Sequence, residues 1–146
     1  GGDIFEPPAI KTPLPDLANR RILVVDDNIS NQKVAIRMLR RLGCVPTVAA
    51  NGEEAVDMHE RFDFDLILMD CEMPIMDGFE ATRKIRTLKK HGIRIPIVAL
   101  TAHTSLATTQ DCFSSGMDDY LSKPAELSFL AEKLDRWLKI AALQLS

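Results

Sequence analysis

The stretch Ile22-Leu23-Val24-Val25-Asp26-Asp27 decides the fold, because it joins an unbroken apolar run to a pair of acids. A run that is apolar on both faces is typical of a strand in a parallel sheet that is covered on both sides. In such sheets the chemistry lies where the strands end. We therefore expect a buried first strand with a functional loop at its carboxyl end.

Four further runs repeat this pattern along the chain. In order they are Val45 to Ala50, Leu66 to Met69, Ile95 to Leu100 and Met117 to Leu121. The stretches between the runs carry apolar residues at the spacing of an amphipathic α-helix. The sequence therefore alternates strand and helix five times.

The helix boundaries have their own signals. Asn51 is expected to cap the second helix, and a third helix is expected from about Phe79 to Lys90. A fourth is expected from about Ser105 to Ser115, ending at Gly116. Asp77-Gly78 is interpreted as a tight turn in which the glycine takes a positive φ.

Strict alternation of strands and helices predicts an α/β fold with a parallel sheet and right-handed crossovers. Five units are too few for the eight-unit barrel. The remaining choice is an open (βα)5 architecture, a doubly wound five-stranded parallel sheet with helices on both faces. We expect this domain to span residues 21–142, and the proline-rich residues 1–20 to form a linker or tail.

Composition excludes several classes of function. The chain has 146 residues and a formal charge of -3, so broad charge-driven binding to nucleic acid or to a membrane surface is not expected. It contains no apolar run of the roughly 20 residues that a membrane span needs. Its three cysteines have no CxxC spacing, which disfavours a disulfide framework or a zinc site and favours a reducing, cytoplasmic setting.

Polar side chains follow four of the predicted strands. Asp26 and Asp27 end the first, Asp70 ends the third, Thr101 ends the fourth and Lys123 follows the fifth. The carboxyl ends of parallel strands share one edge of the sheet, so these groups are expected to converge in one crevice.

The charges of this set predict a metal ion. Three carboxylates and one ammonium sum to −2, and a hard divalent cation with oxygen ligands balances that sum. Mg²⁺ fits, whereas zinc would call for histidine or cysteine ligands. A carboxylate beside such an ion can attack phosphorus, and Asp70 is the candidate nucleophile because it is the lone acid after a central strand.

Four motifs, in this order, resemble the receiver domain of two-component response regulators. They are Val24-Val25-Asp26-Asp27-Asn28, the stretch from Met69 to Gly78, Leu100-Thr101-Ala102, and the stretch from Asp119 to Pro124. The resemblance covers about residues 21 to 142. It implies a flavodoxin-like sheet with strand order 2-1-3-4-5.

The resemblance also implies roles for individual residues. Asp70 would accept a phosphoryl group from a phosphohistidine, and Thr101 and Lys123 would contact that group. Asp26, Asp27, Asp70 and the backbone carbonyl of Glu72 would bind Mg²⁺. Thr101 and Tyr120 would form the switch that passes the signal to the face made of the fourth helix, the fifth strand and the fifth helix. The Lys123–Pro124 bond would be cis.

The sequence around Asn28 and the Met-Pro-Ile-Met-Asp-Gly segment most resemble the receivers of hybrid sensor histidine kinases. That resemblance implies a histidine kinase or a histidine phosphotransfer domain as partner. It also implies a cytoplasmic location, as part of a membrane-bound sensor kinase. The domain itself would catalyse only its own phosphorylation and dephosphorylation, and its full-length parent would be a histidine kinase. A stand-alone single-domain response regulator is the alternative.

Other readings stay open at the level of sequence. Asp26-Asp27 is also what a simple helix cap looks like. A small aspartate-nucleophile phosphatase, a flavodoxin-like cofactor carrier and a receiver-like domain without phosphorylation are rival functions. The first normally has a second aspartate two residues after the nucleophile, where this chain has Glu72, and the second needs a hydroxyl- or glycine-rich loop where this chain has Asp26-Asp27-Asn28.

Overall fold

The computed structural model describes residues 17–88, 90 and 92–144, which form five strands and five helices in strict alternation. The strands are β1 (Arg21–Val25), β2 (Val45–Ala49), β3 (Leu66–Asp70), β4 (Ile97–Thr101) and β5 (Asp119–Ser122). The helices are α1 (Ile29–Arg41), α2 (Gly52–Arg61), α3 (Gly78–Thr87), α4 (Leu106–Ser115) and α5 (Leu127–Leu143).

All neighbouring strands are parallel, and their order is β2-β1-β3-β4-β5. The predicted fold class and strand order are therefore confirmed. Alternate side chains of each strand point to opposite faces, so one buried strand contributes to two cores. Ile22 and Val24 pack with α1 and α5, whereas Leu23 and Val25 pack with α2, α3 and α4.

The edge position of β2 explains its weak apolar pattern. Within the described part of the chain only β1 pairs with it, and four of its five residues are exposed or half-buried. An edge strand tolerates the ring of Pro46 and the polar Thr47, because one side of its backbone has no partner strand to bond.

Helix α3 ends at Thr87, so the expectation that it runs to Lys90 is wrong. The next residue, Leu88, has an extended backbone, and its amide donates to the carbonyl of Ile85. Lys90 serves a different element, because its ammonium donates to the carbonyls of His59 and Phe62 at the end of α2.

The predicted start of α2 and both predicted ends of α4 are confirmed. The Asn51 side chain accepts the amide of Glu54 at 2.8 Å and caps α2. Ser105 caps α4 at its start, and Gly116 ends it in the left-handed region at φ 111°.

The interpretation of Asp77-Gly78 as a turn with positive φ is wrong. Asp77 is the N-cap of α3, and its carboxylate accepts the amide of Glu80 at 2.9 Å. Among the described glycines, those with positive φ are Gly43, Gly92 and Gly116. Glycine is required at position 78 for space, because a Cβ there would collide with the backbone carbonyl of Asp70.

Most of the predicted linker, residues 1–16, lies outside the described residues. Leu17 is fully buried in the core on the α1 and α5 face, and Asn19 donates its amide to the carbonyl of Gly43. At the other end, α5 continues to Leu143. None of the helices in the described part of the chain has the length and apolar character to cross a bilayer.

Candidate functional site

Three carboxylates meet at the carboxyl edge of the sheet. One ligand oxygen from each of Asp26, Asp27 and Asp70 lies within 4.8 Å of the others. Asp26 and Asp70 are almost completely buried, with relative exposures of 2% and 1%, whereas Asp27 is exposed. The strands β1 and β3 are neighbours in the sheet, which brings together residues 44 positions apart in the chain.

Neither acid of the Asp26-Asp27 pair caps α1. That position belongs to Asn28, whose side chain accepts the amide of Asn31 at 3.0 Å. Asp26 instead accepts the amide of Asn28 at 2.9 Å through Oδ1. The simple-cap interpretation is therefore wrong, and the two carboxylates require another explanation.

Lys123 reaches the cluster from the loop after β5. Its Nζ lies 2.8 Å from Oδ1 of Asp70 and 3.7 Å from Oδ2 of Asp26. Burial lowers the pKa of Lys123, but the hydrogen bond and charge of Asp70, together with Asp26, outweigh burial and hold the pKa above its usual value. The Lys123–Pro124 peptide bond is cis, and the Lys123 amide donates to the carbonyl of Thr101.

Burial dominates the ionisation of Asp70. It raises the pKa of this carboxyl to about 6, although the hydrogen bond and charge of Lys123 act in the opposite direction. Asp26 adds repulsion, while the Glu72 amide, which donates to Oδ1 of Asp70 at 3.2 Å, lowers the pKa. The site thus holds a carboxylate whose charge is only partly compensated, and it favours any further cation that approaches.

Thr101 is fully buried at the end of β4. Its hydroxyl oxygen lies 3.3 Å from a carboxylate oxygen of Glu72 and 3.0 Å from the carbonyl of His103, and it accepts the amide of His103 at 3.0 Å. A hydroxyl has one proton to donate, so Glu72 and His103 compete for it. This competition leaves the hydroxyl able to change its partner.

Tyr120 on β5 is half-buried and packs against the α2, α3 and α4 face of the core. Its ring meets that of Phe113 on α4 edge to face, with centroids 6.4 Å apart and planes at 75°. Phe113 itself is half exposed. The contact links the strand that carries Tyr120 to the helix that follows Thr101.

The donor set fits magnesium. Every candidate ligand is an oxygen, two of the three carboxylates are buried, and the Lys123 ammonium balances part of their charge. Mg²⁺ accepts a few carboxylates and keeps several waters, and the exposed Asp27 leaves one side of the cluster open to solvent.

Sequence reasoning missed two features near this site. The Gln32 side chain donates to the backbone carbonyl of Asp26 at 2.7 Å, and the thiols of Cys71 and Cys112 lie 3.8 Å apart in the core. Gln32 follows Asp26 by six residues and has no periodic signal. The thiols meet because Cys71 directly follows β3 and Cys112 lies on α4, and only the folded packing of these elements brings them together.

Comparison with known families gives one clear result. Residues 22–135 match the model of the response regulator receiver domain. The Hybrid signal transduction protein dokA of Dictyostelium discoideum is 45% identical over 118 residues, which cover 81% of this chain and 7% of that protein. Histidine kinase 5 of Arabidopsis thaliana is 33% identical over 88% of this chain and 17% of its own length. The chain thus spans a small part of these relatives.

Solved structures agree with this result. The receiver domain of a sensor histidine kinase from Pseudomonas aeruginosa, with a magnesium ion coordinated in its active-site cleft, has a TM-score of 0.78 and 44% identity, covering 84% of this chain and 99% of that one. The receiver domain of the response regulator Ssk1 from Saccharomyces cerevisiae, crystallised with the histidine phosphotransfer protein Ypd1, has a TM-score of 0.77 and 34% identity, covering 87% and 92% of the two chains.

Proposed function

The chain belongs to the response regulator receiver domain family, and from that premise we propose that Asp70 receives a phosphoryl group from a phosphohistidine in a two-component phosphorelay. The observation that carries the proposal is the buried Asp70 carboxylate, 2.8 Å from Lys123 and within 4.8 Å of two further acids. Family membership supplies the reaction class, and this geometry supplies the residues.

In the transfer, a carboxylate oxygen of Asp70 attacks phosphorus. The new O–P bond forms as the P–N bond to the donor imidazole breaks, and the imidazole leaves with its electron pair and takes a proton from solvent. Such a transition state needs in-line positioning and neutralisation of the phosphoryl oxygens more than it needs a general base. Lys123 supplies a fixed positive charge at the point of attack.

Asp26, Asp27 and Asp70, with the backbone carbonyl of Glu72, would hold Mg²⁺. When bound, the ion neutralises the acidic cluster and the phosphoryl oxygens. The neighbouring receiver structure with magnesium in its cleft supports this choice of metal. The remaining roles belong to the chain: Asn28 fixes Oδ1 of Asp26, and the Glu72 amide orients Asp70.

Phosphorylation would reach the surface through Thr101 and Tyr120. A phosphoryl group on Asp70 offers strong acceptor oxygens, which attract the Thr101 hydroxyl away from Glu72 and His103. The space that Thr101 vacates lets Tyr120 turn inward, and the edge-to-face contact passes that motion to Phe113. Helix α4 carries two serines and two threonines in ten residues, and such weak helix formers make it easy to shift. The output surface is the face of α4, β5 and α5.

Helix α1 is the docking surface proposed for the phosphohistidine partner. Its solvent side carries four exposed cations and two exposed apolar residues, Lys33, Arg37, Arg40, Arg41, Ile29 and Val34. A cavity of about 330 Å³ lies between this helix and the Lys123-Pro124 loop and includes Asp26 in its wall. The complex of a receiver domain with Ypd1 supports a histidine phosphotransfer protein, or a histidine kinase, as the class of partner.

The full-length parent is proposed to be a hybrid histidine kinase. Relatives named hybrid signal transduction histidine kinases are matched over only 6% to 7% of their length, as expected for one domain of a longer protein. A cytoplasmic location is part of the same proposal, supported by free thiols at all three cysteines.

A phosphotransfer assay tests the proposal. The chain is mixed with a histidine phosphotransfer protein that carries labelled phosphate, with Mg²⁺ or with EDTA. We expect the label to move to this chain only with Mg²⁺, and not to the Asp70→Asn variant. Magnesium-independent labelling, or equal labelling of the variant, would refute the proposed site.

A further inference from the structure

Gln32 is the fourth residue of α1, and its side chain contacts the Asp26-Asp27 segment that follows β1. Its side-chain amide donates to the backbone carbonyl of Asp26 at 2.7 Å. The side chain is half-buried, and the hydrogen bond bridges six residues of chain. The N-cap of α1 is Asn28, so Gln32 has no capping role.

With Gln32 in place, every polar group of Asp26 has a partner. The Asp26 amide donates to the carbonyl of Ala49 at 3.1 Å. Oδ1 accepts the amide of Asn28, and Oδ2 lies 3.7 Å from Lys123. Gln32 occupies the carbonyl, which belongs to the peptide that joins Asp26 to Asp27. Rotation of this peptide would change the directions of both carboxylates.

The acidic cluster makes such a restraint useful. Three carboxylates with oxygens within 4.8 Å repel one another, and one ammonium offsets only part of that repulsion. The exposed Asp27 has the most freedom to move away before a cation arrives. A neutral amide bound to the joining peptide resists that movement without adding charge to the site.

We propose that Gln32 is a positioning residue for the magnesium site, because its hydrogen bond fixes the Asp26–Asp27 peptide so that both carboxylates face one ion. The inference rests on the proposed function, since the ion is the one that phosphotransfer would use. Gln32 does not touch the ion or the phosphoryl group. Its effect is on affinity for the metal, through the geometry of the residues that bind it.

The test compares Gln32→Met with the wild type in direct binding of Mg²⁺ by calorimetry. Methionine keeps the length of the side chain and loses the donor. We expect the dissociation constant for Mg²⁺ to rise about tenfold, in the range usual for a lost partner of a metal ligand. Phosphotransfer should need more Mg²⁺ for half-maximal rate and should approach the wild-type rate when Mg²⁺ is saturating. The unfolding temperature in EDTA should change little.

Two further variants make the result specific. Gln110→Met makes the same substitution at an exposed position on α4 and should bind Mg²⁺ like the wild type. Gln32→Ala removes the amide without adding an apolar group and should raise the dissociation constant as Gln32→Met does.

Wild-type Mg²⁺ affinity in both Gln32 variants would overturn the inference and leave the proposed function intact. So would a lower unfolding temperature in EDTA with unchanged affinity, which indicates a purely structural role. A wild-type chain that binds no Mg²⁺ would instead overturn the proposed function itself.

Discussion

The ammonium of Lys123 lies 2.8 Å from Oδ1 of Asp70, so the proposed phosphoacceptor is paired with a cation before any donor arrives. Asp70 ends β3 and Lys123 lies in the loop after β5, and β4 separates these two strands in the sheet. Burial still outweighs this pairing and keeps the pKa of Asp70 high. The site is therefore suited to reaction at some cost to the stability of the folded state.

Replacing Asp70 by asparagine is expected to stabilise the protein in EDTA at pH 7.5. The pKa of Asp70 is raised to about 6, so ionisation costs the folded state more than the unfolded one. That cost grows as the pH rises from the ordinary carboxyl pKa, near 4, and is complete above about pH 6. We expect Asp70→Asn to gain about 1–3 kcal/mol at pH 7.5 and progressively less toward pH 4, measured by urea unfolding. A wild type more stable than the variant at pH 7.5 would contradict this.

Magnesium should stabilise the wild-type chain against heat, and Asp27→Ala should reduce that effect. A ligand that binds only the folded state raises the free energy of unfolding. The increase grows with the logarithm of the ligand concentration divided by the dissociation constant. Asp27 is exposed and close to two other acids, so its loss should cost little in EDTA. The measurement is the unfolding temperature with and without Mg²⁺. Asp111→Ala, another exposed acid, is the control that should keep the full shift.

Much of this site was predictable because strand ends are visible in sequence. Asp26, Asp70 and Thr101 each stand at or directly after the end of an apolar run, and parallel strands bring their ends to one edge. The interior of the fold gives no such signal. The role of Gly78 depends on the carbonyl of Asp70, and the bond from Gln32 depends on how α1 packs over the loop.

Element ends were less predictable where tertiary contacts set them. The fourth apolar run begins at Ile95, yet β4 begins at Ile97. Pro96 has no amide to donate, and the carbonyl of Ile95 bonds Arg86 rather than a neighbouring strand. The fifth run was expected from Met117, but β5 starts at Asp119. The carboxylate of the intervening Asp118 bonds Arg86, Arg94 and the amide of Ile97.

Gly78→Ala should damage both stability and phosphotransfer. A methyl group there collides with the carbonyl of Asp70, so the backbone that carries the phosphoacceptor must move. Gly92→Ala is the matched control, because a Cβ at Gly92 meets open space and suffers only from its φ of +68°. We expect the control to lose about 1 kcal/mol with its phosphotransfer rate unchanged. Equal effects of the two substitutions on phosphotransfer would show that the collision does not reach Asp70.

Arg86 should be the more important of two arginines that bind Asp118. Its guanidinium donates to the carbonyls of Gly116 and Ile95 and to the Asp118 carboxylate, and burial lowers its pKa to about 10. Arg86→Met removes three hydrogen bonds and should cost about 3 kcal/mol of unfolding free energy. The Gly116 carbonyl then keeps only Arg94, and the Asp118 carboxylate keeps Arg94 and the amide of Ile97. Arg94→Met removes a half-exposed arginine from the same carboxylate and should cost less than about 1 kcal/mol. Denaturant unfolding checks both values, and a larger loss for Arg94 would contradict the assignment.

Beryllofluoride is a mimic of the bound phosphoryl group. Its addition should change the nuclear magnetic resonance chemical shifts of residues around Asp70 and also those of Tyr120 and Phe113. Thr101→Ala should keep the changes near Asp70 and abolish those at the two rings, because the hydroxyl that changes partner is gone. Thr87→Ala removes an exposed hydroxyl at the end of α3 and is the control that should behave like the wild type. Ring signals that never move in the wild type would refute the switch.

Mapping the site of incorporation tests most directly whether the Asp70 carboxylate takes the phosphoryl group. The wild-type chain is phosphorylated by a phosphohistidine donor with Mg²⁺, digested, and the modified peptide is sequenced by mass spectrometry. We expect one acyl phosphate, on Asp70. Incorporation at any other residue, or none with an active donor and saturating Mg²⁺, would contradict it.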